Sequence, residues 1–215
     1  MTLKPEFYSG YLLRFIQDQL EAGHEESGLY NYYATRVPKR AGLIAYEIAV
    51  AEYVAKTFVA SKRRIVHVGI GLGTVTTYLS ILGYHTIGVE LDRRRAKTAL
   101  RLRTAVSGVW PEVAERYIFV EGMFPDALQD LDIMAKDALL LFTNAAFSWP
   151  EGTKERMFAL FPTFGDVILD LRQFGKTREL ETERADFLQE VMQLGANLVA
   201  EIPSPGVYYR HFQFV

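Results

Sequence analysis

The sequence predicts an α/β fold that carries a helical cover at its N-terminus. From residue 62 onward, short β-branched runs alternate with helix-like runs, which is typical of a mostly parallel sheet with helices on both faces. Residues 1–61 instead show helical spacing and many aromatic side chains. We therefore expect a helical N-terminal cap over residues 1–61 and a sheet domain over residues 62–215.

Two helices are predicted in the cap. The run FYSGYLLRFIQDQLEAG places its apolar side chains at helical spacing, and Gly23 follows as a stop signal. After a polar stretch, HEESGLYNYYATR, Pro38 suits the first turn of a second helix. That helix continues through AGLIAYEIAVAEYVAKTFVA and is largely apolar, so it is expected to be buried on more than one face. We interpret this segment as a cover on the sheet rather than an independent domain.

Seven strands are predicted in the second region. In chain order they are RRIVHVGI (63–70), HTIGVEL (85–91), RYIFVEG (116–122), DALLLFT (137–143), DVILDLRQF (166–174), ANLVAEIP (196–203) and YYRHFQFV (208–215). Between them, helices are predicted over 74–83, over 92–106, near 125–134, over 153–160 and at about 177–194. The last two strands have only a short Pro/Gly turn between them, so they must be antiparallel.

Composition excludes several classes of function. The chain has no cysteine, which rules out disulfides, thiolate metal sites, iron–sulfur clusters and a cysteine nucleophile. Its 24 basic and 26 acidic residues give a net charge of −2, so non-specific nucleic-acid binding is not expected. Histidine spacings typical of metal sites are missing, and no metal is predicted. Without a signal peptide or an apolar run of about 18 residues, the expectation is a cytoplasmic protein with no membrane partner.

A glycine-rich loop follows the first predicted strand and leads into a helix. In Gly69-Ile70-Gly71-Leu72-Gly73, the glycines allow a tight turn and close approach to a ligand, while the next helix offers its N-terminal amides. Glu90 ends the second strand about twenty positions after Gly69, where a ribose-binding acid is expected. This order predicts a nucleotide-type site. The alternative is a tight strand–helix turn with a solvated acid.

The spacing of the glycines also limits which kind of nucleotide the loop is expected to bind. Thr74 stands where the dinucleotide pattern needs its third glycine, and the lysine of a P-loop is absent. The G-x-G-x-G pattern found here leaves room for a bulkier group linked to a nucleoside.

At these residues the chain resembles the class I S-adenosylmethionine-dependent methyltransferases. IVHVGIGLGT looks like their first motif, and GVELD looks like the second-strand motif whose acid holds the ribose. RYIFVEGMFPDAL is similar to the segment beside the adenine, and DALLLFTNAAF lies where the fourth strand opens onto the active site. The resemblance covers residues 62–215. It implies a Rossmann-like seven-stranded sheet of order 3-2-1-4-5-7-6 with the last strand antiparallel, and S-adenosyl-L-methionine as cofactor.

The resemblance also implies which residues bind the cofactor. They are His67, Gly69, Gly71, Gly73, Glu90, Leu91, Gly122, Met123 and Thr143. Two of these depart from the family pattern, in which an acid stands two positions before the first glycine and another follows the third-strand glycine. Here those positions hold His67 and Met123. We expect His67 to bond loop backbone or to contact the amino-acid end of the ligand, and Met123 to offer a backbone amide and an apolar wall.

Catalytic residues are harder to predict, because methyl transfer mainly needs alignment of the reactants. Thr143 and Asn144 follow the fourth strand, where ligands bind in such sheets, although loop capping would explain them equally well. Tyr33 is a third candidate, from a polar aromatic cluster with Tyr30, Tyr32 and Arg36 that would cover cofactor or substrate; packing is expected for at least two of its tyrosines.

Two groups of arginines are candidates for binding or for solvent exposure. Arg172 is a candidate for binding a substrate carboxylate, with an exposed salt bridge as the alternative. The basic run of Arg93, Arg94 and Arg95 is interpreted as a solvated helix face.

Three functions fit these observations. The first is methyl transfer from S-adenosylmethionine to an O or N nucleophile of a small molecule. The second keeps the cofactor but transfers its aminobutyryl group, as relatives of nicotianamine synthase do. The third is a non-catalytic domain that binds the cofactor without turnover. The aromatic N-terminal helices are also candidates for pairing as a homodimer.

Overall fold

The structure is a computed structural model that describes residues 5–24, 27–36, 44–129, 131, 135–143, 152–171, 178–204 and 207–214. Eight helices lie in these ranges: α1 Pro5–Glu21, α2 Ser27–Ala34, α3 Ala45–Thr57, α4 Thr74–Ile81, α5 Arg93–Ser107, α6 Glu112–Arg116, α7 Thr153–Leu160 and α8 Arg178–Gln193. The strands are β1 Arg64–Val68, β2 His85–Glu90, β3 Tyr117–Glu121, β4 Ala138–Phe142, β5 Asp166–Asp170, β6 Ala196–Ser204 and β7 Val207–Phe214.

All seven strands form one sheet of order β3-β2-β1-β4-β5-β7-β6, which confirms the predicted topology. The pairs among β1 to β5 are parallel, and β7 is antiparallel to both β5 and β6. In β4 and β5 every residue is buried, as expected for strands covered on both faces. Because β1 pairs in parallel with both β2 and β4, the carboxyl ends of these three strands lie at the same edge of the sheet, where ligands bind in open α/β folds.

Each face of the sheet has its own core. In β4, Leu139 and Leu141 join a core with α1 to α5, whereas Leu140 and Phe142 join another with α7 and α8. The alternation follows from the period of two residues along a strand. Residues of the predicted cap, such as Tyr8 and Val50, belong to the first core, so this segment packs directly on the sheet domain. The boundary between residues 61 and 62 remains a prediction.

The short elements differ from what the sequence predicted. The stretch interpreted as polar before Pro38 contains α2, because Tyr30 and Tyr33 are three residues apart and both become buried on one side of a helix. Pro38 lies outside the described residues. The second cap helix is shorter than predicted, ending at Thr57, and the five-residue α6 was not predicted.

The helix predicted near 125–134 is wrong over its described part. A single 3₁₀ turn, Asp126–Leu128, is found there, and residues 130 and 132–134 lie outside the described ranges. Leu128 donates its amide to the carbonyl of Pro125, and Leu131 donates to that of Leu128, at 3.0 Å in both cases. The two leucines are spaced at the three-residue period of a 3₁₀ turn, so they do not build the wider apolar face of an α-helix.

Tyrosine hydroxyls hold the N-terminal helices on the sheet domain. Tyr11 donates to the carbonyl of Ala105 in α5 at 2.8 Å, and Tyr84 donates to the carbonyl of Phe58, just after α3, at 2.6 Å. The Tyr84 hydroxyl also lies 3.2 Å from the carbonyl of Val54. Because Tyr84 directly precedes β2, these bonds fix the C-terminal end of α3 beside the sheet.

We expect Tyr84→Phe to lower the free energy of unfolding by about 1–3 kcal/mol, because the Phe58 and Val54 carbonyls lose a buried donor. Urea denaturation of both proteins measures this change. The m-value should stay constant, which shows that the same surface unfolds. A loss below about 0.3 kcal/mol would mean that water replaces the hydroxyl without cost.

Candidate functional site

The loop between β1 and α4 takes a conformation that only glycine adopts easily. Gly69, Gly71 and Gly73 have φ angles of 73°, 58° and 80°. The Gly73 amide donates to the carbonyl of Ile70 at 2.8 Å and closes the turn. A Cβ at Gly73 would lie 3.1 Å from the Tyr117 hydroxyl, whereas one at Gly71 would meet no heavy atom within 4 Å. The loop is therefore packed on one side and open at Gly71.

The carboxylate of Glu90 is bound to this loop. Its Oε2 accepts the Gly71 amide at 2.8 Å, and its Oε1 accepts the Asp92 amide at 2.9 Å. Asp92 in turn caps α5 by accepting the amides of Arg94 and Arg95. The structure thus brings together the glycine loop and the acid that the sequence predicted as parts of one site.

Burial governs the charge of Glu90. The side chain is only 5% exposed, and this desolvation raises the pKa of its carboxyl above the ordinary value. The amides of Asp92 and Gly71 partly offset the rise in pKa because they stabilise the charged form. Each carboxylate oxygen has two lone pairs and accepts one backbone amide. The second lone pair of each oxygen can therefore accept a hydrogen bond from a hydroxyl of a ligand.

Apolar side chains lie next to Glu90. Leu91, the following residue, is 63% exposed. Gly122, after β3, donates its amide to the Glu90 carbonyl at 2.9 Å and so brings the half-buried Met123 to the end of β2. Leu91 and Met123 are therefore apolar residues near the end of β2, where the family resemblance implies the adenine.

His67 and Thr143 are joined directly. His67 is 1% exposed, and its Nε2 lies 2.5 Å from the Thr143 hydroxyl while its Nδ1 lies 2.7 Å from the Thr76 hydroxyl. Burial lowers the pKa of the imidazole to about 3, so the ring is neutral at physiological pH. A neutral ring donates from one nitrogen and accepts at the other, and hydroxyls suit either role. His67 thus bonds threonine side chains, not the loop backbone; its contact with a ligand remains a prediction.

A carboxylate that the sequence analysis missed lies at the other end of the glycine loop. Glu47, in the first turn of α3, is 4% exposed. Its Oε1 accepts the Tyr33 hydroxyl at 2.9 Å and the Thr74 hydroxyl at 2.7 Å, and its Oε2 accepts the Ile44 amide at 3.3 Å. Thr74 directly follows Gly73. The available signal was a lone acid in the apolar run AYEIAVA, because such a residue needs buried hydrogen-bond partners.

The remaining candidates divide into three groups. Tyr30 is buried against Phe15, and Tyr32 lies beneath the Arg36 guanidinium, 3.6 Å from ring centroid to Cζ. The basic run of residues 93–95 is exposed on α5. Asn144 and Arg172 lie outside the described residues, so the structure does not place them.

The described ranges hold neither a cluster of metal-binding side chains nor a membrane-spanning helix. There, no group of three or more His, Asp or Glu side chains could hold a metal ion. None of the helices in those parts of the chain has the length and apolar character needed to cross a bilayer.

Solved structures share this architecture. A TehB-like SAM-dependent methyltransferase from Corynebacterium glutamicum superposes with a TM-score of 0.59 at 18% identity, covering 89% of this chain and all of that one. The glycopeptide N-methyltransferase MtfA complexed with sinefungin gives 0.58 at 12% identity, over 79% of this chain and 86% of its own. The chain has the methyltransferase fold.

A third similar structure is the magnesium protoporphyrin IX methyltransferase ChlM from Synechocystis with bound SAM, with a TM-score of 0.53 and 15% identity. That alignment covers 78% of this chain and 76% of ChlM. No family model matches the chain, and a search of curated proteins finds no match. These identities are low, so the likeness establishes the methyltransferase fold and leaves the activity to be argued from the site.

The pKa of His67 leads to a testable dependence of stability on pH. Between pH 6.5 and about 3, the unfolded chain protonates this histidine and the folded chain does not, so stability is lost as pH falls. We expect His67→Gln to remove this contribution, which is about 1.4 kcal/mol for each pH unit below 6. Urea unfolding at several pH values between 7 and 4 measures both slopes.

Comparing wild type with His67→Gln isolates the contribution of His67 to the pH dependence of stability. The raised pKa of Glu90 acts in the opposite direction, since protonating a buried acid favours the folded state, but this effect is present in both proteins and cancels. If the free energy of unfolding varied with pH equally in wild type and variant, His67 would gain its proton in the folded protein at the same pH as in the unfolded chain.

Proposed function

We propose that the protein is an S-adenosylmethionine-dependent methyltransferase acting on an O or N nucleophile of a small molecule. The observation that carries the proposal is the Glu90 carboxylate, held at the carboxyl end of β2 against the open Gly71 of the glycine loop. An acid at this place is suited to the vicinal hydroxyls of a ribose, because a carboxylate accepts two hydrogen bonds side by side.

The neighbouring residues fit such a cofactor. A side chain at Gly71 would project into open space, which a glycine leaves to a ligand. The exposed Leu91 and the half-buried Met123 supply apolar surface for an adenine ring. The hydrogen bond between His67 and Thr143 joins the carboxyl ends of β1 and β4, so these two strand ends are fixed next to the loop. These residues would hold the nucleoside at the edge where β1, β2 and β4 end.

The chain itself has to supply little beyond orientation. When bound, S-adenosylmethionine supplies a positively charged sulfonium and the methyl group that is transferred. We infer that Thr143, at the carboxyl end of β4, and Tyr33 face the acceptor, with Asn144 next along the chain. Burial and the charge of Glu47 raise the pKa of the Tyr33 phenol, so Tyr33 keeps its proton. It donates that proton to Glu47 Oε1, and its oxygen can accept a hydrogen bond from the acceptor.

A small-molecule acceptor is favoured by charge. The net charge of −2 offers no basic footprint for a nucleic acid, and the exposed arginines of residues 93–95 are confined to one helix face. Structurally similar proteins include a mitomycin 7-O-methyltransferase and a glycopeptide N-methyltransferase. The O- and N-methyl transfer of these two enzymes supports transfer to oxygen or nitrogen here.

Aminobutyryl transfer and cofactor binding without turnover are the alternatives. Both keep the same nucleoside site, so the product distinguishes them. Methyl transfer releases S-adenosylhomocysteine, aminobutyryl transfer releases methylthioadenosine, and a binding domain releases neither. Chromatography of reactions with candidate amines and phenols identifies the product.

Binding of the nucleoside is the first measurement. We expect S-adenosylmethionine and S-adenosylhomocysteine to bind at micromolar concentrations and NAD not to bind, because Thr74 replaces the third glycine of the dinucleotide pattern. Calorimetry on purified protein measures all three ligands. If neither sulfur nucleoside binds, the proposed function is wrong.

The role of Glu90 is tested by replacing it. We expect Glu90→Ala to weaken S-adenosylhomocysteine binding by about 1.5–3 kcal/mol, since hydrogen bonds to a charged group are lost. Glu115→Gln is the control, because Glu115 is exposed on α6, which leads into the amino end of β3 at the opposite edge of the sheet. A folded Glu90→Ala protein with unchanged affinity would remove Glu90 from the site.

A further inference from the structure

Two carboxylates hydrogen-bond to the segment that contains the glycine loop and Thr74. Glu90 accepts the Gly71 amide, and Glu47 accepts the Thr74 hydroxyl. They come from different parts of the chain, since Glu90 ends β2 whereas Glu47 begins α3 in the N-terminal cap. An acid is thus present on each side of the loop, and the proposed function uses one of them.

S-adenosylmethionine carries two features that carboxylates recognise. One is the vicinal diol of the ribose, and the other is the α-ammonium group of its amino-acid end. An ammonium has three donors and no acceptor, so its strongest partner in a protein is a carboxylate. His67, which the resemblance placed at the amino-acid end, is a poor partner because its ring is neutral and both nitrogens already bond threonine hydroxyls.

We propose that Glu47 binds the α-ammonium group of the cofactor and is the residue that selects ligands with an amino-acid end. The inference rests on the proposed function. Glu47 is fixed for this role, because the Tyr33 and Thr74 hydroxyls hold Oε1 and the Ile44 amide holds Oε2. The carboxylate is therefore oriented before the ligand arrives, which reduces the entropy lost on binding.

The surroundings of Glu47 make its charge effective. The side chain is 4% exposed, and in such surroundings charges interact more strongly than in water. Burial raises the pKa of the Tyr8 and Tyr33 phenols, and the negative charge of Glu47 raises both values further. Burying a carboxylate costs free energy, and a bound cation offsets part of that cost.

A pair of ligands separates this role from a structural one. S-adenosylhomocysteine has the adenosine and the amino-acid end, whereas methylthioadenosine has the adenosine and a methylthio group but no amino-acid end. Glu47→Gln keeps the shape of the side chain and an oxygen that accepts from Tyr33 and Thr74. It removes the charge and puts an amide nitrogen where Oε2 accepted the Ile44 amide. Glu52→Gln is the matched control, because Glu52 lies on the same helix, is exposed and pairs with Lys56.

We expect Glu47→Gln to weaken S-adenosylhomocysteine binding at least tenfold and to change methylthioadenosine binding by less than about twofold. Glu52→Gln should leave both affinities unchanged. Calorimetry measures the four variant affinities beside those of the wild type, and thermal melting confirms that each variant is folded. Equal weakening of both ligands by Glu47→Gln, or no weakening of either, would overturn the inference.

A second measurement starts from the wild-type protein. Wild-type protein should bind S-adenosylhomocysteine at least tenfold more tightly than its analogue without the α-amino group, and Glu47→Gln should lose that preference. If the wild type binds both equally, Glu47 does not hold the ammonium, even where the variant fails to fold. A wild type that binds no sulfur nucleoside at all refutes the proposed function, and this inference with it, so the two failures are distinguishable.

Discussion

The fold at the site depends on one buried carboxylate that accepts two backbone amides. The Glu90 side chain is largely removed from water, so its charge has to be stabilised by nearby donors, and the amides of Gly71 and Asp92 provide them. The first bond fixes the loop after β1, and the second fixes the start of α5 through its Asp92 cap. The end of β2 thereby sets the position of the elements on both sides of the crevice.

The sheet could be predicted because its central strands carry their own signal. A run such as Ala138–Phe142 is apolar at every position, which a strand buried on both faces requires. The antiparallel last pair followed from the shortness of the Pro/Gly turn. Short elements could not be predicted in the same way, since α2, α6 and the 3₁₀ turn at Asp126–Leu128 depend on tertiary packing more than on local spacing.

The candidate site likewise has a part that could be predicted from the sequence and a part that could not. Glu90 and the glycines belong to one strand–loop–helix–strand unit, so their spacing along the chain reflects their spacing in space. Glu47 lies 27 positions from Thr74, and His67 lies 76 positions from Thr143. Contacts over such separations arise from how α3 packs against α4 and how β4 pairs with β1. A residue pattern within one segment does not identify the partner in the other. The structure was needed to find these contacts.

The neutral His67 in β1 and the proposed role of Glu47 in the cap together link cofactor binding to the docking of the N-terminal helices. His67 brings no charge to the crevice, so in the proposed site the cation-binding group is Glu47 of α3. In that arrangement the cap would belong to the binding site as well as covering the sheet. Since a ligand that binds only the assembled site stabilises that assembly, cofactor binding and docking of the N-terminal helices would be thermodynamically linked. The tyrosine bonds from α1 and α3 to the sheet domain are the contacts through which this linkage would act.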